Sequence, residues 1–389
     1  MQLIYINKGT SPSLFAEYLK KYNNVIPQQA QKYNQLLMEG FVSNGEKVVS
    51  ISTRPLNRAM TTQKYFPSKK EMENGIDYYY VPFFNIKLLR ELSVFFGVFF
   101  KVLLKKAHKN DVVICDALNI SATAAALCAS LLRGFETVGI VTDVPCHRPY
   151  GKVPYNEKIN LWLMKRFKKY LFLTEQMSKI VNPKNRPYVV LEGHSDISMK
   201  DTVNELSNKY DKKVCLYAGS LKRIYGIENL VEGFVKANVE NSELYIYGNG
   251  DYVEDLKKLS EKYENVKYMG IAPNSVIVEE ELKATLLVNP RPTNEEYTKY
   301  SFPSKNMEYM ASGTPLLTTK LPGMPTEYNE YVYLLEQENI EGIKNALTEI
   351  LGKSKEELHS KGEAAKNFVM NEKNNIVQAK KVIDMIKRR

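Results

Sequence analysis

Short apolar runs recur along the chain, and most are followed by a stretch with helical periodicity. In the first half they are LIYIN (3–7), KVVSIST (47–53), DYYYVPF (77–83), DVVICDA (111–117), TVGIVTD (137–143), KYLFLT (169–174) and YVVLEG (188–193). The second half continues with KVCLYAGS (213–220), ELYIYGN (243–249), VKYMG (266–270), TLLVNP (285–290) and PLLTT (315–319). Consecutive apolar residues predict strands buried on both faces. Their alternation with helices predicts parallel sheets. The polar stretch HSDISMKDTVNELSNKYDKK (194–213) separates the two series and marks the domain boundary. The closing NNIVQAKKVIDMIKRR predicts an amphipathic helix with Ile376, Val377, Val382, Ile383 and Ile386 on its apolar side. The expected organisation is therefore two doubly wound α/β domains, 1–195 and 213–370, with a linker over 196–212 and a closing helix over 371–389. Ligands of such sheets bind outside the carboxyl ends of the strands, so two facing domains predict a cleft.

Composition narrows the partner classes. A chain of 389 residues is long enough for two cores. With 44% hydrophobic and 25% charged residues it reads as an ordinary globular protein. The net charge of +10 is either met by an anionic partner, with phosphate, nucleic acid and acidic lipid as candidates, or simply solvated. MQLIYINKG lacks a basic region and a long apolar core, so it reads as a first strand rather than a signal peptide. LSVFFGVFFKVLL (92–104) carries Lys101 and falls short of the roughly 20 residues a spanning helix needs. Cys115, Cys128, Cys146 and Cys215 are far apart without CxxC spacing, which suits reduced thiols in the cytoplasm rather than zinc ligands or disulfides.

The stretch YSFPSKNMEYMASGTP (300–315) carries the most chemistry. Pro303 and Ser304 suit a helix start, and Gly313 followed by Pro315 suits its end, predicting a helix over 304–312. A helix start with free N–H groups and a partial positive charge favours phosphate, and Lys305 adds a full charge. Glu308 lies on the face of Ser304 one turn on. An acid beside a phosphate site is explained if it accepts the hydroxyls of a ribose. The plainer reading makes Ser304 a cap, Lys305 solvated and Glu308 a surface partner of a lysine.

YSFPSKNMEYMASGTPLLTT closely resembles the donor-site motif of GT-B glycosyltransferases of the retaining family-4 type, as found in bacterial polysaccharide and glycolipid biosynthesis. LYAGSLKRIYGIENLVEGF (216–234), LYIYGNGDY (244–252), NVKYMG (265–270) and LLVNPRPTNEEYTKYSFPSK (286–305) follow the family's order and spacing. The resemblance covers 213 to about 335 and is weaker over QKYNQLLMEGF, VTDVP, FLTEQM and LEGHSD in the first half. It implies a GT-B fold of two Rossmann-like domains and transfer from a nucleotide sugar, UDP-linked by preference, to a glycan or lipid-linked acceptor with retention. It implies no metal or other cofactor. By position, Ser304 and Lys305 would contact the diphosphate, Lys305 also stabilising the leaving group, and Glu308 would hold the ribose. The neighbourhood of Gly248 would border the base, and the loop 294–300 would face the sugar.

The chain departs from the family in two places. Where the family carries a glutamate eight residues before the ribose acid, this chain has Tyr300, with Glu295 and Glu296 out of register. Where the family often carries an arginine after the first glycine and a lysine before the next, this chain has Ser220 after Gly219 and Tyr225 before Gly226. Lys222 and Arg223 are candidates to supply that charge, an exposed basic turn being the alternative, and Arg291 and Lys299 are further candidates.

In the first half Asp143, with Thr142 before it and His147 after it, falls at a strand end. It could orient an acceptor hydroxyl or stabilise positive charge at the anomeric carbon, or it could cap a turn. His147 reads as a plain loop histidine, Asp116 reads better as a cap, and Gly9 in NKGTSPS (7–13) fits either a close ligand approach or a turn. KINLWLMKRFKKYLF (158–172) and FFGVFFKVLLKK (95–106) combine aromatic and basic residues. They suit peripheral contact with the inner face of the plasma membrane, or they are core helices whose lysines reach outward.

Other classes fit less well. GNGD (248–251) is not a dinucleotide fingerprint, no DxD or HExxH occurs, and no nucleic-acid-binding motif appears. Two alternatives stay open: a degenerate GT-B protein that binds a nucleotide or partner without turnover, and a sugar-nucleotide epimerase.

Overall fold

The computed structural model describes residues 1–22, 28–106, 110–145 and 155–388. The chain divides into two compact units, the first comprising Met1–His194 and the closing residues from Asn375, the second Ser195–Asn374.

The first unit holds strands β1 (Gln2–Asn7), β2 (Lys47–Ser52), β3 (Tyr65–Phe66), β4 (Lys69–Glu73), β5 (Ile76–Tyr80), β6 (Phe83–Phe84), β7 (Val112–Asp116), β8 (Glu136–Val141), β9 (Lys169–Phe172) and β10 (Tyr188–Val190). Its helices are α1 (Pro12–Lys21), α2 (Gln28–Ser43), α3 (Lys87–Leu103), α4 (Ile120–Arg133), α5 (Tyr155–Met164) and α6 (Glu175–Val181). Eight strands form one sheet in the order β10-β9-β8-β7-β1-β2-β5-β4. All neighbours are parallel except β4, which runs antiparallel to β5. The all-parallel expectation is corrected there. β4 and β5 form a hairpin whose two linking residues, Asn74 and Gly75, have φ of 50° and 74°, as a two-residue type I′ turn needs. β4 is an edge strand with Lys69, Lys70 and Met72 exposed, so its sequence shows no apolar run to betray it.

The second unit holds strands β11 (Lys213–Ser220), β12 (Ser242–Asn249), β13 (Val266–Gly270), β14 (Leu286–Asn289), β15 (Leu316–Thr319) and β16 (Tyr333–Leu335). Its helices are α7 (Ile227–Ala237), α8 (Val253–Lys262), α9 (Asn274–Lys283), α10 (Ser304–Ser312), α11 (Ile340–Leu351) and α12 (Lys355–Glu372). The strands form a parallel sheet in the order β13-β12-β11-β14-β15-β16. Alternation along β11 fills two cores. Val214, Leu216 and Ala218 point toward Met307, Tyr309 and Met310 of α10 and Phe368 of α12. Cys215 and Tyr217 point toward Leu230, Val231 and Phe234 of α7 and Leu256 of α8. The stretch 196–212 belongs to this unit and forms two 3-10 turns, Ile197–Asp201 and Leu206–Asn208, packed against α12.

The closing helix α13 (Asn375–Lys387) packs on α2 and β10 of the first unit. Val382, Ile383 and Ile386 are buried as the periodicity predicts, but Ile376 and Val377 are only half-buried. Asn375 and Gln378 are buried in their place, their amides donating to Leu36 O (3.2 Å) and Gly193 O (2.8 Å). Lys169 Nζ donates to the last carbonyls of the helix, Met385 O at 3.0 Å and Ile386 O at 2.8 Å, which suits a cation at a helix C-terminus. The segment 158–172 divides between core and surface. Phe167, Tyr170, Phe172 and Lys169 are buried in strand and core, and within that segment Ile159 and Trp162 are the large apolar side chains left exposed. The buried thiols Cys115 and Cys215 are free, as is the exposed Cys128, and burial pushes Cys215 up to about 12. Cys146 and His147 lie outside the described residues.

Candidate functional site

In the second sheet β11 stands between β12 and β14, so successive connections leave it in opposite directions. Such a reversal opens a crevice at the carboxyl ends of the two diverging strands. Three chain segments border it: the end of β11 at Gly219 and Ser220, the start of α7 at Gly226, and the residues after β14 from Pro290 to α10. Two glycines allow the backbones to close up there. A Cβ on Gly226, at φ 79°, would lie 2.3 Å from Pro290 O, and one on Gly248, at φ 136°, would lie 1.8 Å from Gly219 O.

α10 occupies the predicted span. Pro303 precedes it in extended conformation without a side-chain cap, and Gly313 closes it at φ 78°. Asn306 N–H donates to Pro303 O at 3.0 Å, and the positive end of the helix dipole at this start favours an anion. Three strands anchor it. Tyr309 OH accepts from Ala218 N–H (2.7 Å) and donates to Ala218 O (3.2 Å) on β11. Asn289 Nδ2 on β14 donates to Asn306 Oδ1 at 2.6 Å, and Asn306 Nδ2 donates to Thr318 Oγ1 on β15 at 3.3 Å. A polar helix start is therefore held at the crevice by bonds made from its first and second turns.

Ser304 is exposed on the first turn. Lys305 Nζ lies 2.8 Å from Glu308 Oε2 and 3.9 Å from Glu281 Oε1 on α9. Burial lowers the Lys305 pKa, but Glu308 and Glu281 outweigh it and the ammonium is held above its ordinary value. The lysine that the plainer sequence reading assigned to Glu308 is thus Lys305 itself. Glu281, only 2% exposed in its side chain, went unnoticed in the sequence because it is one of three consecutive acids, Glu279, Glu280 and Glu281.

The remaining candidates divide. The Arg291 guanidinium lies over the Tyr225 ring at 4.5 Å, and its buried Nε makes no hydrogen bond among the described residues. Burial pushes the Tyr217 phenol up, and Arg291 opposes that shift. Tyr217 OH in turn donates to Ser220 O at 2.9 Å. These contacts bring Arg291 to the ends of β11 and β14. Arg223 is directed elsewhere. It pairs with Asp255 and with Glu228 (3.3 Å) and lies over the Tyr252 ring at 4.9 Å. Lys222 is exposed on the same turn. Glu295, Glu296 and Lys299 are exposed on the loop before α10, and Tyr300 is half-buried.

In the first unit the corresponding reversal falls at β1, between β7 and β2. The loop after β1 is closed by its own partners. Thr10 N–H donates to Gln31 Oε1 (2.8 Å), Ser11 N–H to Tyr80 OH (3.0 Å), and Ser11 Oγ to Glu71. Gly9 N–H donates to Asn7 Oδ1 at 2.5 Å, the turn reading of that glycine. Asp116, ending β7, accepts from Leu118 N–H at 3.1 Å. Burial raises its carboxyl, with that N–H and Lys8 opposing. Asp143 lies just beyond β8 and is half-buried.

Residues 199–368 match the family described as glycosyl transferases group 1. No curated relative is similar to the chain at a significant level. Among solved structures, sucrose-phosphate synthase of Thermosynechococcus elongatus is similar over 99% of each chain at 14% identity, with a TM-score of 0.68. A glycosyltransferase of Rickettsia africae is similar over 99% of this chain and 98% of its own, at 13% identity and a TM-score of 0.67. HepE of Anabaena, in complex with UDP, is similar over 100% of each chain at 13% identity and a TM-score of 0.65. At these identities the likeness is one of fold, that of the GT-B glycosyltransferases.

Proposed function

We propose that this chain, a glycosyltransferase whose residues 199–368 belong to the group 1 family, moves a sugar from a nucleoside-diphosphate sugar to a glycan or lipid-linked acceptor with retention. The donor is UDP-linked by preference, a choice supported by the UDP carried by HepE. The observation that carries the reading is α10, an uncapped helix start anchored at the strand reversal of the second sheet with Lys305 on its first turn. The diphosphate would lie on the first-turn N–H groups, with Ser304 donating a hydroxyl hydrogen bond and Lys305 and Arg291 supplying positive charge. As the bond to the sugar breaks, charge builds on that diphosphate. Fixed cations and N–H dipoles already in place lower the barrier without reorganising. Glu308 would exchange its bond with Lys305 for the ribose hydroxyls. In the first unit, Asp143 would orient the acceptor hydroxyl. The reaction would take place at the cytoplasmic face of the membrane, where a lipid-linked acceptor is found.

A second reading is supported by Tyr300, which stands where the resembling enzymes carry an acid, and by the exposure of Glu295 and Glu296. It is a protein that binds the nucleotide without turnover. A thermal-shift series with UDP, GDP and ADP, repeated on Glu308→Ala, tests donor binding. A shift with one nucleoside diphosphate that Glu308→Ala reduces is the expected result, and no shift with any of them overturns the donor site. A turnover panel of the matching nucleotide sugars then separates the two readings, with an acceptor requirement distinguishing transfer from epimerisation.

A further inference from the structure

Helix α3 is apolar on two opposite sides. Val94, Val98 and Val102, four residues apart, are buried at 0–2% exposure. Leu88, Leu92, Phe96, Phe100 and Leu104, also four apart, are 49–76% exposed. At 100° per residue the two rows point in opposite directions. The inner row packs the helix on the unit, and α3 also packs along α4. The outer row is a stripe about 24 Å long with nothing of the described chain upon it. A helix apolar all round is ordinarily buried. None of the described helices is long and apolar enough to cross a membrane, so α3 is not accounted for that way either.

Two further features adjoin the stripe. Beside it lies an apolar groove between α3 and the β3–β6 pair, about 420 Å³ in volume and lined by Tyr65, Pro82, Phe84, Phe96, Gly97 and Phe100. At its C-terminal end cations gather. Lys70, Lys101 and Lys105 surround the single ring of Tyr79 at 5.1, 3.8 and 5.5 Å. Arg133, at the end of α4, donates to Leu103 O and to Lys105 O (3.1 Å), which places it and the exposed Leu131 and Leu132 beside Lys105 and Lys106. The one acid of the helix, Glu91, accepts from Ser121 Oγ.

We infer that this face of α3 docks on an anionic phospholipid bilayer, the outer stripe entering the interface and the groove seating an acyl chain. Charge decides the occupant. A second copy related by a two-fold axis across the stripe would set the lysine cluster against the start of the other copy's α3, where Lys87 and Arg90 outnumber Glu91. Anionic headgroups neutralise the cluster while the acyl region takes the stripe. An amphipathic helix lying in the interface with basic residues at its border is held by that combination. The inference deepens the lipid-linked acceptor of the proposed reaction, and vesicle binding is read without transfer, so each can fail alone.

The test is co-sedimentation of the full chain with phosphatidylcholine vesicles with and without phosphatidylglycerol. The wild type is expected to pellet with the anionic vesicles only, and to be released as salt is raised. Phe96→Glu/Phe100→Glu, on exposed positions, should abolish pelleting without moving the melting temperature. Lys101→Gln and Lys106→Gln should each lower the partition coefficient about fivefold. Undiminished pelleting of Phe96→Glu/Phe100→Glu, or no pelleting of the wild type at low salt, overturns the inference. So does a wild-type dimer in size-exclusion chromatography that the double variant dissolves without any vesicle binding, which would make a second copy the occupant.

Discussion

The two units share one architecture and differ at the place where the architecture leaves an opening. Each has a sheet of parallel strands, edged in the first by the antiparallel β4, whose strand order reverses at β1 in the first and β11 in the second. In the first, the loop after the reversal strand is closed by Gln31, Tyr80 and Glu71, and the nearby strand ends carry acids, Asp116 and Asp143. In the second, the crevice meets an uncapped helix start with Lys305 and Arg291 beside it. A doubly wound sheet provides a crevice in either unit, and the side chains around it determine what it can bind. The proposed anion site therefore belongs to the second crevice, where Lys305 and Arg291 stand at the helix start.

Exchanging charge at the second crevice should break this contrast most. Lys305→Met is expected to raise the dissociation constant for UDP about ten- to a hundredfold, the worth of one charged hydrogen bond, and to lower turnover by at least as much. Titration calorimetry checks the first and a donor-consumption assay the second, and an unchanged dissociation constant removes Lys305 from the site. Asp143→Asn sharpens the contrast from the other unit. Turnover should fall about a hundredfold while UDP affinity stays as in the wild type. A lost UDP affinity would place Asp143 in donor binding instead.

Tyr309→Phe tests the anchoring of the helix rather than its charge. Ala218 N–H loses its acceptor in a buried site, at a cost of about 1–3 kcal/mol, measurable as a lower urea midpoint with unchanged slope. Lys209 gives the second unit a pH dependence. Its ammonium donates to Ala284 O and Thr314 Oγ1, both at 2.8 Å, and burial lowers its pKa to about 7 with Glu363 opposing. Between about 7 and the unfolded value the unfolded chain binds more protons, so this group makes stability rise with pH and level off below 7. Lys209→Met should remove that rise, on the order of 1–2 kcal/mol for a partly solvated group, in denaturation curves taken from pH 7 to 10. The smallest effect is expected of Arg223→Ala. Its partners are Asp255 and Glu228, so UDP affinity should change no more than about threefold, as for an exposed ion pair. A tenfold loss would return Arg223 to the diphosphate and make Arg291 the structural arginine.

Much of the fold was legible because buried parallel strands advertise themselves as unbroken apolar runs. KVCLYAGS and VKYMG coincide with β11 and β13, and the proline and glycine around SKNMEYMAS bounded α10 to the residue. The β4–β5 hairpin was not read, although Asn74–Gly75 is its signal. An edge strand of lysines and glutamates has no apolar run, and only the turn chemistry could have revealed it. The same limit explains 158–172, where aromatic and basic residues read alike whether they face lipid or fill a core. The structure sends Phe167, Tyr170 and Phe172 inward and leaves Ile159 and Trp162 exposed.

By itself, then, the sequence determined what local periodicity and backbone chemistry can encode: the strands with unbroken apolar runs, the bounds of α10, and a cation on its first turn. Tertiary structure alone decided which distant groups share that site. Glu281 reaches Lys305 from α9, Tyr309 ties α10 to β11, Arg291 turns toward Tyr217 and Tyr225, and Arg223 turns away to Asp255. The reason is that side-chain pairing between elements depends on which strands become neighbours and which face each helix buries, and neither is encoded within a single turn or strand.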